Sequence, residues 1–213
     1  ADPKVKDVLA NAQKYVQEYR YRAAADAAAG GAVPVPGAAP DQQLLRVHFD
    51  GDAVARDLSQ LGIPVWGRSR PAVLLWLAVE DGDQRYIVAG DRAPELQQGV
   101  AEEAQQRGVR VFPPVFDLED QMALTFADVG GDFEQTIQKA SQRYRPDAVL
   151  VGRIYQSSPG VWQGRWTLYE GDTGKSWDAA AADTEQAAVA GVDALADTLA
   201  QQFARVINPT ATA

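Results

Sequence analysis

The chain has 213 residues, 46% of them hydrophobic and 23% charged, which is too apolar a balance for wholesale disorder and, at roughly 150 residues per domain, allows one large domain or one and a half small ones. With 20 Lys+Arg against 29 Asp+Glu the net charge is −9, a sign that argues against binding driven by nucleic-acid phosphates or by an anionic membrane surface. Zero cysteines remove disulfides, thiolate metal sites and a cysteine nucleophile, and a single histidine removes multi-histidine metal sites.

In chain order, Ala1 stands almost inside a helix with no initiator Met, so the expectation is a processed or trimmed fragment of a longer precursor. Val5, Val8, Leu9, Ala12, Val16 and Tyr19 recur at helical spacing, which predicts one amphipathic helix over 1–22. Residues 23–43 are rich in Ala, Gly and Pro and read as a linker. A single compact domain is expected over 44–207, followed by a frayed tail at 208–213. Leu45–Phe49 alternates as a strand, and Asp50 caps a helix through Val54, Leu58 and Leu61 that ends at Gly62. Ala72–Glu80 is a continuous apolar run of strand length, expected to be buried on both faces with Trp76 in the core. It turns back at Asp81-Gly82-Asp83 into a second strand over 85–89.

Pro94 opens a helix that Gly108 closes, and Val109–Phe112 is a strand stopped by Pro113-Pro114. A helix capped by Asp132 carries Phe133, Ile137 and Ala140. Ala148–Tyr155 is an apolar strand, 161–170 and 176–183 form a hairpin, and 185–207 carries the apolar stripe of a final helix. Strand–helix alternation interrupted by hairpins predicts an α/β (α+β) fold with a mixed β-sheet and helices packed on it. No window approaches the about 18 uninterrupted apolar residues of a membrane span.

The string Gly62-Ile63-Pro64-Val65-Trp66-Gly67-Arg68-Ser69-Arg70-Pro71, running into AVLLWLAVED, is distinctive. Together with Leu118-Glu119-Asp120-Gln121, Asp147–Arg153 and Trp162-x-Gly164-Arg165-Trp166 it resembles the uncharacterised bacterial family DUF2066, over about Leu44 to Phe203. The resemblance implies an exported envelope protein, made with a signal peptide and further residues upstream, in a family with no established activity. The element order of the second half is similar to the small α/β module at the amino end of the periplasmic Tol-Pal component TolB. That similarity is topological and points to a non-catalytic envelope module.

Several residue groups carry the right chemistry for a site. His48 lies near Asp50 and Asp52, raw material for a base or a metal site, but it alternates with Val47 and Phe49 as a surface residue of an edge strand would. Asp117, Glu119 and Asp120 follow the Pro-Pro break and could act as acid and base or hold a divalent cation; they equally suit the start of a solvated helix. Arg68 and Arg70, on a short stiff loop, could clamp a carboxylate or phosphate or pair internally. Trp162 and Trp166 share one strand face, Arg165 and Tyr169 the other. The turn around Gly171 most resembles a type I turn with a glycine bulge at Gly174, which sets Tyr169 against Trp177; without the bulge Trp177 joins Trp162 and Trp166. Such aromatic residues could form a binding platform or pack under the final helix.

No phosphate loop, nucleophile elbow or metalloprotease helix motif is present. The expected function is therefore a non-enzymatic periplasmic module, without cofactor, that binds a protein or cell-wall component. The alternative is a hydrolase or metal-dependent enzyme using Asp117, Glu119 and Asp120, or His48.

Overall fold

The structure, a computed structural model, describes residues 3–23 and 43–206. The linker expected over 23–43, apart from its end residues, and the tail over 208–213 lie outside them. The chain forms two compact units, one of Ala1–Gly67 with Phe203–Ala213 and the other of Arg68–Gln202. The strand and helix over 43–60, grouped in the sequence reading with the residues after them, lie in the first unit.

In the first unit, helix α1 (Pro3–Ala10) gives way at Asn11 to one 3-10 turn (Ala12–Tyr15) and then to strand β1 (Val16–Ala23). The single helix expected over 1–22 is thus a strand from Val16 onward. From Glu18 on, Tyr19 and Tyr21 alternate with charged residues, a period of two that suits a strand wherever a partner exists. That partner is strand β2 (Gln43–Phe49), paired antiparallel with Tyr19 opposite Val47 and Tyr21 opposite Leu45. Val16 and Tyr19 fit helical spacing as well, so periodicity alone misleads there. Helix α2 (Gly51–Gln60) follows, capped as expected by Asp50, whose carboxylate accepts from the amides of Asp52 and Ala53.

The 3-10 turn is fastened to α2. Tyr15 is buried and donates its hydroxyl to Asp57 Oδ2 at 2.8 Å, and Lys14 reaches the same oxygen at 2.7 Å. The amide of Asp50 donates to the Tyr15 carbonyl at 2.7 Å. Further on, Val65 exchanges both backbone hydrogen bonds with Arg205, and Trp66 stacks on Phe203 at 5.9 Å.

The second unit is a six-stranded mixed sheet between helices, which establishes the α+β class. Its strands are β3 (Ala72–Asp81), β4 (Gln84–Ile87), β5 (Arg110–Phe112), β6 (Ala148–Ser158), β7 (Val161–Glu170) and β8 (Thr173–Ala181), in the order β4-β3-β6-β7-β8 with β5 also on β3. The parallel β3–β6 pairing and the antiparallel β6–β7–β8 meander make it mixed. Residues 73–79 of β3 are all buried, as a central strand covered on both faces must be. Its side chains alternate between two helical layers.

On one face, Leu74, Trp76, Val149, Val151 and Tyr169 pack with Leu124, Val129, Ile137 and Ala140. The helices there are α4 (Leu118–Ala123), α5 (Phe126–Gly130) and α6 (Glu134–Ser141). On the other, Leu77 and Trp166 face α7 (Thr184–Phe203), beside α3 (Pro94–Arg107), whose Pro94 and left-handed Gly108 mark its ends as expected. Each fully buried apolar side chain in these layers is worth about 1.5–3 kcal/mol.

The β7–β8 turn settles the register left open above. Gly171 holds the positive φ of 60° that a two-residue hairpin turn requires, and Glu170 pairs with Thr173. The bulge expected at Gly174 does not form. Trp177 therefore lies opposite Trp166, on the face of Trp162, and Tyr169 lies opposite Gly174.

Candidate functional site

The carboxylates after the Pro-Pro break form a closed ionic network. Asp117 is the N-cap of α4, and Arg143 grips it bidentately at 2.6 and 2.7 Å. The same guanidinium reaches Asp120 at 2.9 Å. Asp120 is fully buried and also accepts from the Phe116 amide and the Tyr144 hydroxyl. With a cation already held between two carboxylates, the arrangement fastens the 113–117 segment to the end of α6 and fits a structural role better than acid–base work. Glu119 lies at the rim, 71% exposed and 3.6 Å from Arg143. Among the described residues, no group of three or more His, Asp or Glu side chains is placed to hold a metal ion.

Arg143, with the Asp120 amide second, holds the Asp117 carboxyl down at about 2. Since the folded-state value lies below the usual one, near 4, this stabilisation is full above pH ~4 and is lost as pH falls towards ~2. Urea midpoints measured across this window should fall more steeply for the wild type than for Asp117→Asn, which keeps the helix cap. Parallel profiles would contradict this.

The tryptophans are mainly packing. Trp166 is fully buried, and Trp162 and Trp177 are half-buried beside it. On the opposite face Tyr169 is buried and donates to Asp132 Oδ1 at 2.9 Å; burial first, and this bond second, push its phenol well above the usual range. Asp132 does not cap α6, whose N-cap is Phe133. It adopts φ 54° and turns its carboxylate to Thr167 and Tyr169 instead. Tyr169 and Trp177 thus cannot share one platform. Arg165, on the Tyr169 face, is exposed with a long 3.4 Å contact to Asp178. Arg68 is exposed and Arg70 half-buried, both engaged with other groups.

His48 is exposed on β2, opposite Glu18. A shallow depression there is lined by Glu18, Arg20, Arg46 and His48; two arginines beside one carboxylate make it a poor cation site. The other face of the ribbon is apolar. Tyr19, Tyr21, Leu45 and Phe49 point the same way by register and are 65%, 63%, 53% and 46% exposed. The helical reading of residues 16–22 hid this surface; the period-two placement of the tyrosines was its signal.

Residues 1–67 match a domain of unknown function, DUF8605. The match ends at Gly67, where the leading segment of the first compact unit ends. The ribbon and α2 lie within the matched span. It is a different uncharacterised family from DUF2066, and the two spans share only residues 44–67. No curated protein matches the chain.

Proposed function

We propose that the chain is a non-enzymatic binding module of the bacterial envelope whose protein contact is made by the apolar face of the β1–β2 ribbon. The single observation that carries this reading is the run Tyr19, Tyr21, Leu45 and Phe49, exposed together on one face. Two strands alone are marginal in water and become stable when an apolar face is packed. Monomers rarely leave more than a few hundred Å² of contiguous apolar surface uncovered.

The occupant proposed is a second copy of the ribbon, packed face to face. Taking about 250 Å² for a large aromatic side chain, these exposures leave roughly 500 Å² on each copy. Two copies would bury about 1,000 Å², the lower bound of a specific interface, so the pairing is weak and concentration-dependent. The outward face is charge-mixed, with Arg20 paired to Glu18, and suits solvent. Envelope location rests on the topological similarity of the second half to envelope modules, and fractionation of cells that express the protein tests it. Among the described residues no helix is long and apolar enough to cross a membrane.

Sedimentation equilibrium of the full chain should show a monomer–dimer equilibrium in the micromolar range. The double variant Tyr19→Ser/Tyr21→Ser should shift it at least tenfold towards monomer with the melting of the second unit unchanged. A wild type that stays monomeric up to millimolar concentration, or a variant that dimerises equally well, would overturn the homotypic contact.

A further inference from the structure

The register of the second unit's sheet places two arginines directly opposite each other. Arg153 on β6 pairs with Arg165 on β7, and both side chains leave the face that carries Trp76 and Tyr169. Like charges in this position repel, a cost that the flanking carboxylates offset only from their own sides. The nearby carboxylates sit to the outer sides. Glu80 on β3 takes Arg153 Nη2 at 2.9 Å and also binds Arg85, while Asp178 on β8 makes the 3.4 Å contact with Arg165.

Four further observations converge on the same spot. The Nε of Arg153 is buried with no hydrogen-bond partner among the described residues, while its side chain as a whole is 37% exposed and offers its outer nitrogens to solvent. The Arg153 guanidinium is held in place, over the Tyr155 ring at 5.0 Å and beside Gly130 of α5. Arg165 is 61% exposed, so most of its donors face solvent. In the next row of the sheet Tyr155 lies opposite Gln163, which adds a phenol and a carboxamide to the patch.

We propose that Arg153 and Arg165, with Tyr155 and Gln163 at their border, form a binding site for an oxyanion, the chemistry shared by a carboxylate and a phosphate group. Guanidinium forks match both geometries through paired hydrogen bonds. In a chain of net charge −9 the attraction is local to this row, so the site selects by geometry rather than by bulk charge. It lies wholly in the second unit and does not depend on the ribbon.

The test is a titration of the full chain with inorganic phosphate and, separately, with succinate, at constant ionic strength made up with chloride, following the arginine Nε–H resonances by NMR. A saturable shift of the Arg153 and Arg165 signals is expected. It should weaken about tenfold in Arg165→Gln, whose exposed position spares the fold, and persist in Arg85→Gln. Saturation by phosphate alone identifies a phosphate site, and saturation by succinate alone a carboxylate site. Shifts that never saturate with either probe, or that saturate equally in Arg165→Gln, would overturn the proposal.

Discussion

Gly191→Ala should be the most damaging single methyl group that can be added to this protein. A Cβ at Gly191 would stand 2.0 Å from Trp166 Cε2 and 2.2 Å from Cζ2. The ring has no way out. A Cβ on Gly152 would come within 2.4 Å of it, and one on Gly164 within 2.5 Å, so the indole lies in a cradle of three glycines drawn from β6, β7 and α7. In an exposed helix the same change would stabilise by about 1 kcal/mol, because alanine is the better helix former. Here overpacking dominates, and a net loss of roughly 1–3 kcal/mol is expected once the ring and the helix have shifted apart. Chemical denaturation measures it. Combining Gly191→Ala with Trp166→Leu should recover part of the loss, since the smaller side chain frees the space. A stabilised Gly191→Ala would show that α7 does not bear on Trp166.

Trp76→Ala should cost about 3–5 kcal/mol, the range for removing a large aromatic side chain from a core. Trp76 is fully buried at the middle of β3, against Tyr144 at 6.3 Å, and its Nε1 donates to Ser141 Oγ at 2.9 Å. Ser141 in turn donates to the Ile137 carbonyl, which ties the sheet to α6. Trp76→Phe should be milder, because the Ser141 hydroxyl keeps that second bond. For a chain of this size a loss of 3 kcal/mol corresponds to a fall of roughly 6–12 °C in melting temperature. A change of only a degree or two would mean that β3 is not the central strand.

What the sequence disclosed follows from how local each signal is. The β3 run, the Asp50 cap and the Pro94 and Gly108 helix ends depend on neighbours a few residues away, and each stands where expected. Features fixed by distant partners were harder to read. Residues 16–22 carry a helical and a strand period at once, and pairing with β2 decides between them. Trp177 changes faces with one residue of register, which the φ of Gly171 determines. The Arg153–Arg165 pairing likewise depends on a bulge between Gln156 and Ser158. Without that extra residue Arg153 would face Trp166 instead. Asp132 has the composition of a helix cap but spends its carboxylate on the sheet.

The central claim is that the ribbon's apolar face meets its own copy, and a chain without cysteine allows a clean measurement. A nitroxide on His48→Cys would sit on the charged face, outside the proposed contact. Packed sheets lie about 10 Å apart, so two labels on the outer faces of a ribbon pair should give an intermolecular distance on the order of 20–30 Å by pulsed electron resonance. The signal should vanish on dilution and in the Tyr19→Ser/Tyr21→Ser background. A featureless decay at high concentration, with no distance in that window, would contradict it.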